Sequence, residues 1–131
     1  MTPGTYLRKR REAAGLELAD VALMLPTEPH MDALGRAEWL RQIEADQAPI
    51  GINVIAALRY AFAFDASVLQ RLGDIRMKPS LAAPRICRVC ACSQHDACVG
   101  GCAWVDVDLC SSCAPIAGTA ALVPPPERAA A

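Results

Sequence analysis

Apolar residues recur at intervals of three and four along the first half of the chain, which is the spacing of one helix face. The clearest sets are Val21, Ala22 and Leu25; Leu40 and Ile43; and Val54, Ile55, Leu58, Ala61 and Phe62. Gly15, Pro26 and Asp65 supply stop and cap signals between them. The pattern predicts a compact, mainly α bundle of five short helices, over residues 5–14, 16–25, 33–45, 52–64 and 66–72.

The second half of the chain changes character after this bundle. Residues 76–86, with Pro79 and Pro84, are typical of a linker, and residues 115–131, with a PPP run and terminal alanines, are typical of a disordered tail. All seven cysteines lie between them. The predicted organisation is therefore a helical domain over 1–75, a linker over 76–86, a cysteine-rich module over 87–114 and a tail over 115–131.

Composition limits the classes of protein that fit. The chain has 131 residues, a net charge of −1 and only 5% aromatic residues. This length suits one small domain plus a module held by metal, and the charge provides no overall attraction to nucleic acid or membrane. The most apolar stretch, residues 52–64, is shorter than the ~18 residues of a membrane span, and the start has no signal-like segment. We expect a cytoplasmic protein without a membrane partner.

The cysteines form two C-x2-C pairs, and this pattern predicts a metal site. In a reducing compartment disulfides would not persist, and seven is an odd number. Two C-x2-C turns brought together make a tetrahedron around Zn²⁺, so the predicted ligands are Cys87, Cys90, Cys110 and Cys113. Four thiolates leave no open position for water, so such a site is structural. Disulfides and an iron–sulfur cluster are the alternatives.

Four more candidate ligands leave the number of ions open. Cys92, His95, Cys98 and Cys102 could complete a second tetrahedron, or seven thiolates could serve two ions if one thiolate bridges them. In the opposing interpretation Cys98 and Cys102 are small buried apolar residues, His95 lies at the surface and Cys92 points away from Cys90. A module this small cannot fold by apolar burial alone, so metal binding is expected to supply its folding energy.

Between these cysteines the sequence predicts a turn and a strand. Gly100 and Gly101 mark a sharp backbone turn ahead of Cys102. Apolar residues then alternate with others, as in a short strand that covers the metal core. They are Trp104, Val105, Val107 and Leu109. We interpret Trp104 as part of this small core rather than as a platform on which a base stacks.

The helical half resembles a known family. The stretches LRKRREAAGLELADVALML and EWLRQIEADQAPIGINVIAALRYAFAF are similar to the lambda-repressor-like (Cro/repressor type) helix-turn-helix domain. That resemblance covers residues 5–72 and implies a DNA-binding regulator that places its third helix in the major groove, often as a homodimer. The matching candidate DNA contacts are Arg36, Arg41 and Gln42, with Arg8, Arg10 and Arg11 as a basic edge for phosphates.

The cysteine stretch resembles a second kind of unit. Its C-R-x-C-x-C block, followed by G-G-C-x-W and D-L-C-S-x-C, is similar to a small zinc-finger-like module seen in phage and prophage proteins. This likeness implies an origin in a phage or mobile element. It implies no defined activity.

The chain also departs from the helix-turn-helix pattern. Glu17 and Leu18 stand where a hydroxyl or amide pair usually contacts phosphate, and PTEPHMDALG is inserted where a tight turn normally lies. Asp46 replaces a usual glycine. Residues 1–76 contain nine Lys and Arg against ten Asp and Glu, whereas tight DNA binding normally needs several basic phosphate contacts.

Two functions therefore remain as hypotheses. One is a sequence-specific double-stranded DNA-binding regulator with a structural zinc module; the alternative is a protein-interaction adaptor that reuses the helical core. Clustering of Arg36, Arg41 and the basic run on one face would favour DNA, and an apolar patch there would favour a protein partner. No nucleophile–base pair or phosphate-binding glycine loop is present, so we do not expect an enzyme.

Overall fold

The computed structural model describes residues 1–27 and 30–115 of the chain. The described residues form two compact units, one up to Pro84 and one from Arg85 onward, and the division falls within the predicted linker 76–86. The predicted disordered tail falls, apart from Pro115, outside the described residues.

The first unit is helical. Within its described residues it contains five helices, α1 (Pro3–Ala13), α2 (Leu18–Met24), α3 (Ala33–Glu44), α4 (Ile52–Ala61) and α5 (Ala66–Met77). The predicted mainly helical architecture of five helices is confirmed. No membrane-length apolar helix occurs in the described ranges, where the longest helices, α3 and α5, have 12 residues each.

Helices α1 and α2 begin two residues from their predicted starts, and the C-terminal ends of α4 and α5 differ from the prediction by three and five residues. Helix α4 was expected to reach residue 64 but ends at Ala61, because Phe62 is extended, with φ −155° and ψ 159°. The extended segment lets Phe62 and Phe64 both become buried, with ring centroids 5.7 Å apart. Helix α5 continues to Met77 instead of residue 72, and it stops next to Lys78, the residue before a proline.

Short polar side chains start the helices. The side chains of Thr2, Asp32 and Asp65 accept hydrogen bonds from first-turn amides of α1, α3 and α5, so the predicted Asp65 cap is confirmed. Helix α2 has no such cap at Glu17. There the backbone amide of Glu17 donates to the Asp20 carboxylate at 2.8 Å, which satisfies an amide at the helix start.

Left-handed residues end α1 and α3. Gly15 has φ +75°, as predicted for the stop of α1, and Asp46 has φ +60° directly after the cap of α3. The left-handed conformation is unfavourable for a residue with a side chain. In compensation, the Asp46 carboxylate accepts a 2.8 Å hydrogen bond from the backbone amide of Gly4, which ties the end of α3 to the start of α1.

The core of this unit matches most of the periodic pattern. Seven of the ten predicted apolar positions are buried, while Val54, Ile55 and Ala61 are half-buried. Residues outside those sets complete the core from α1, from the segment after α4 and from α5. They are Tyr6, Leu7, Phe64, Val68, Leu69 and Leu72.

A buried ion pair joins α1 to α3. The Arg11 guanidinium donates from Nε to Glu44 Oε2 at 2.6 Å and from Nη2 to Oε1 at 2.9 Å. A third bond runs from Nη1 to the Leu16 carbonyl at 2.7 Å. The two side chains are only 8% and 10% exposed, and hydrogen bonding to Glu44 raises the pKa of Arg11. Arg11 therefore works as an internal tie between helices.

The second unit contains a small hairpin instead of the single strand predicted over residues 104–109. Strands β1 (Trp104–Asp106) and β2 (Leu109–Cys110) pair antiparallel, with Trp104 opposite Cys110. The chain reverses at residues 107–108, where the Asp106 carboxylate accepts the Val107 amide at 2.7 Å. Leu109 is thereby turned inward and buried, while Val107 remains exposed.

Replacing Gly4 with alanine should destabilise the helical unit. The new Cβ would lie 2.5 Å from the Ile43 carbonyl oxygen and 2.6 Å from that of Glu44, and backbone atoms cannot move aside cheaply. We expect a loss of about 1–3 kcal/mol in urea denaturation followed by circular dichroism at 222 nm. Gly73→Ala is the control: it meets nothing within 4 Å and should stabilise α5 by about 0.5–1 kcal/mol. Equal stabilities of the Gly4→Ala variant and the natural chain would contradict this close approach.

Removing the Glu44 carboxylate should be costly because it leaves the buried Arg11 charge without its partner. For Glu44→Ala we expect a loss of about 3 kcal/mol in the same denaturation assay. Glu38→Ala breaks an ion pair on the same helix whose side chains are about half exposed, and it should leave the midpoint unchanged. The two variants behaving alike would show that the Arg11–Glu44 pair does not hold α1 to α3.

Candidate metal centre

All seven cysteines, which lie within the described residues, are free of disulfides. Cys87, Cys92, Cys110 and Cys113 are buried, and Cys90, Cys98 and Cys102 are half-buried. Three local structures bring them together.

The first structure is a tight loop from Cys87 to Cys92. The Ala91 amide donates to the Cys87 carbonyl at 2.8 Å, and the Cys87 amide donates to the Cys92 carbonyl at 3.0 Å. Ala91 has φ +64°, a left-handed conformation that turns the backbone between its neighbours. The thiols of Cys87, Cys90 and Cys92 consequently converge, so the interpretation in which Cys92 points away from Cys90 is wrong.

The second structure is the predicted glycine turn. Gly100 and Gly101 have φ +82° and +89°, and the Gly101 amide donates to the Cys98 carbonyl at 2.8 Å. Side chains other than hydrogen are strained in this conformation, which explains the glycines. The turn returns the chain so that Cys98 and Cys102 both reach the cluster.

The third structure is the end of the hairpin. Strand β2 holds Cys110, and the Cys113 amide donates to its carbonyl at 3.1 Å. The Ser111 amide donates to the Ala103 carbonyl at 2.7 Å, and the Ser111 hydroxyl accepts the Ala103 amide at 3.0 Å. The second C-x2-C pair is thus attached to the hairpin by backbone and side-chain bonds.

The sulfur atoms lie close together. Cys90, Cys98 and Cys110 form a triangle of Sγ atoms with sides of 3.7, 3.8 and 3.9 Å, and Cys92 and Cys102 are 3.8 Å apart. Two sets of four thiols have all their sulfurs within 4.8 Å of one another. The first set is Cys87, Cys90, Cys92 and Cys110; the second is Cys92, Cys98, Cys102 and Cys110. The thiols are therefore within metal-binding distance of each other.

These sets differ in part from the predicted ligand sets. Cys87, Cys90 and Cys110 come together as expected, but Cys92 occupies the fourth place, while Cys113 is buried beside the cluster. In the second set Cys110 stands where His95 was expected. The C-x2-C-x-C spacing of residues 87, 90 and 92 was the sequence signal for Cys92.

His95 lies outside both sets. It is exposed on a short turn in which the Ser93 and Asp96 backbones exchange hydrogen bonds of 3.1 and 3.2 Å. These two backbone bonds close the turn, and His95 lies at its tip. Sequence reasoning could not choose between a ligand and a surface histidine at this position.

The thiols differ in acidity. Burial and neighbouring thiols raise the pKa of Cys92 and Cys113, and they raise that of Cys98 to about 12. Burial acts in the same direction on Cys110, but hydrogen bonds from the Cys113 amide and from adjacent thiols outweigh it and lower its pKa to about 6. These hydrogen bonds favour the thiolate form of Cys110, the form that binds metal.

A thin apolar layer covers the sulfurs. Leu109 is buried against them, and Val89 and Trp104 are half-buried on the same cluster. Arg85 stacks over the Trp104 ring at 4.5 Å and donates to the carbonyls of Asp106 and Val107. This placement supports Trp104 as a small-core residue. Arg85 was missed in the sequence, since a single arginine near a linker carries no motif.

The six predicted DNA contacts in the helical unit fall into two groups. Arg10 and Arg11 are buried, and Arg36 is half-buried, with Nε donating to the Ala22 carbonyl at 2.6 Å and Nη1 donating to the Met31 carbonyl. These three side chains are directed into the unit. Arg8 and Arg41 are exposed and Gln42 is half-buried.

Comparison with protein-family models, with curated proteins and with solved structures found no match to this chain. The two resemblances noted in the sequence therefore stay predictions.

Removing metal should unfold the second unit and leave the first intact. Thiol clusters of this size depend on the ion for folding. In a Trp39→Phe variant, Trp104 is the remaining tryptophan, and a strong zinc chelator should shift its emission towards that of a water-exposed indole. Helical circular dichroism should change little, and added zinc should restore the emission. Unchanged emission from protein shown by elemental analysis to be metal-free would contradict a metal-dependent fold.

Proposed function

We propose that this chain is a protein-interaction adaptor that carries a structural zinc module. The distances between the sulfur atoms support the zinc module. A tetrahedral zinc site with Zn–S bonds of ~2.3 Å has sulfur atoms ~3.8 Å apart. Three sulfur pairs that each lie within one set have this spacing: Cys90 with Cys110, Cys98 with Cys110, and Cys92 with Cys102 are 3.8–3.9 Å apart.

The donor set favours zinc and a structural role. Thiolates are soft ligands, and they select zinc or iron–sulfur clusters over magnesium or calcium. Each set of four converging thiols would fill all four positions of a tetrahedral zinc ion, which would leave no position for a reacting water. The proposed module therefore builds a surface instead of performing a reaction.

The outward face of α3 carries the proposal for the helical unit. Leu34, Glu38 and Arg41 are spaced four and three residues apart and so share one helix face. Leu34 is 83% exposed, and Glu38 and Arg41 bind each other with N–O distances of 2.7–3.1 Å. An apolar side chain beside an internally neutralised pair suits a protein surface better than a phosphate backbone.

The basic side chains add to this argument. Arg11 neutralises Glu44 and Arg36 is bonded to two backbone carbonyls, so neither offers its guanidinium to phosphates. Leu23 and Met24 on α2 are 72% and 50% exposed, which adds apolar surface on the helix that packs most closely with α3. A partner with an apolar patch that receives Leu34 fits these observations.

Substituting Leu34 should abolish partner binding without unfolding the chain. Proteins crosslinked to the zinc-loaded full chain in its source cells would be purified and their affinities measured one by one. For a true partner, Leu34→Asp should weaken binding at least tenfold, because exposed apolar anchors dominate such contacts. An aspartate in the first turn of α3 is compatible with the helix.

Gln70→Glu, which adds a negative charge to the exposed surface of α5, is the matched control and should bind as the natural chain does. Equal affinities of the Leu34→Asp variant and the natural chain for every crosslinked protein would overturn the adaptor proposal.

A sequence-specific DNA-binding regulator is the second candidate. One observation favours it: Arg8 and Arg41 remain exposed on α1 and α3, with Gln42 beside Arg41. Two such cations can contact phosphates, and Gln42 can bind a base edge once it leaves Glu38, to which it donates at 3.4 Å.

A randomised duplex pool separates the two candidates. Under the adaptor proposal, the folded, zinc-loaded chain should retain no enriched site in fluorescence anisotropy across a salt series. An enriched site whose affinity falls steeply with salt, and falls further in Arg41→Ala, would instead establish the DNA reader.

A further inference from the structure

We propose that the cysteines hold two metal ions in one cluster, in which the thiolates of Cys92 and Cys110 are shared between the ions. This inference rests on the proposed zinc module and adds its stoichiometry and connectivity. It concerns the second unit alone, residues 85–115 of which are described.

The number of ligands is the first argument. Two separate closed sites would need eight ligands, and the segment offers seven thiols and His95. His95 is exposed and belongs to neither set of converging ligand atoms. Two ions can therefore reach four ligands each only if at least one thiolate serves both.

The two converging sets have two members in common. Cys87 and Cys90 converge with Cys92 and Cys110, and Cys98 and Cys102 converge with the same two residues. Two tetrahedra that share one edge need six thiolates in this arrangement: two in the shared edge and two more at each end. The first ion would lie among Cys87, Cys90 and the shared pair, and the second among Cys98, Cys102 and the shared pair.

The shared pair lies in the interior of the cluster. Cys92 and Cys110 are each 1% exposed, as expected for ligands at its centre. Three of the four outer ligands, Cys90, Cys98 and Cys102, are half-buried, whereas the fourth, Cys87, is 0% exposed. Cys90 and Cys98, which belong to different sets, are 3.7 Å apart, so the two sets adjoin. In the shared cluster these two sulfurs would be outer ligands of different ions and would lie farther apart than this.

Charge is also manageable in the shared arrangement. Six thiolates and two divalent ions leave an excess of two negative charges, fewer than two separate sites of four thiolates would leave. The backbone amide of Cys92 lies 3.5 Å from Cys90 Sγ and donates to it, and amide donors of this kind stabilise thiolate charge.

Cys113 has a different place. It is 5% exposed, packs against the cluster and lies outside both sets. Its backbone amide helps to hold the Cys110 turn through the 3.1 Å bond to the Cys110 carbonyl. Its thiol also hydrogen-bonds to the thiols of Cys90 and Cys110. We assign it a supporting position, in which it holds ligand sulfurs and binds neither ion itself.

The test uses the full chain loaded either with zinc or with ¹¹³Cd. Elemental analysis of the zinc form should give two ions per chain. The ¹¹³Cd form should show two resonances in the range of all-sulfur coordination, and each should be split by the other, because a shared sulfur provides a two-bond path between the nuclei.

Single substitutions then distinguish shared from outer ligands. Cys102→Ser removes one outer ligand and should move one cadmium resonance strongly while the other keeps its position. Cys92→Ser should move or remove both, and Cys113→Ser, the matched control, should retain two ions and two coupled resonances.

The possible outcomes separate this inference from the zinc proposal. No bound metal would overturn the zinc module itself. One ion per chain, or two resonances without mutual splitting, would leave a metal module but overturn the shared cluster. Loss of both ions in Cys113→Ser would overturn the assignment of Cys92 and Cys110 as the shared pair. The splitting is measured on the natural sequence, so the test stands even where a variant fails to fold.

Discussion

The convergence of six thiols is the constraint on which the second unit depends. A segment of this size has few apolar side chains, and within the described residues Leu109, with parts of Val89, Trp104 and Ala114, packs against the sulfurs. Without an ion, buried thiols 3.7–3.9 Å apart would gain little beyond weak S–H hydrogen bonds. With an ion, the same positions become ligands, and metal binding takes the place of a hydrophobic core. The left-handed Ala91, the Gly100–Gly101 turn and the hairpin all act to deliver sulfurs to one point.

In the helical unit, two arginines form internal bonds that stabilise the fold. Arg11 bridges α1 and α3 through Glu44, and Arg36 closes the region between α2 and α3 by binding two backbone carbonyls. A guanidinium with several donors is well suited to such internal bonding. Each arginine that is bonded internally is unavailable to contact a ligand at the surface. For this reason α3 presents little free positive charge, although the first helix of the chain is basic.

The outward face of α3 then acquires a different character. Its basic residue Arg41 is paired with Glu38, and Leu34 projects into solvent next to the helix start. Burial of this large aliphatic side chain by a partner would gain hydrophobic free energy. The proposed adaptor role and the proposed zinc module have one feature in common. In both units polar groups bond to each other inside the fold, which leaves the surface for recognition.

Local patterns in the sequence determined the five helices, the Gly15 stop, the Asp65 cap and the cysteine segment as the site, because helix periodicity, capping and C-x2-C turns depend on near neighbours. Tertiary structure decided what depends on distant residues. Cys92 rather than Cys113 joins the first set of thiols because Ala91 turns the backbone and the hairpin brings in Cys110. Arg11 is directed inward because its partner Glu44 lies on another helix. Helix α4 ends before its predicted end because Phe62 and Phe64 can be buried together. Such choices follow from packing across the fold, which no local pattern encodes.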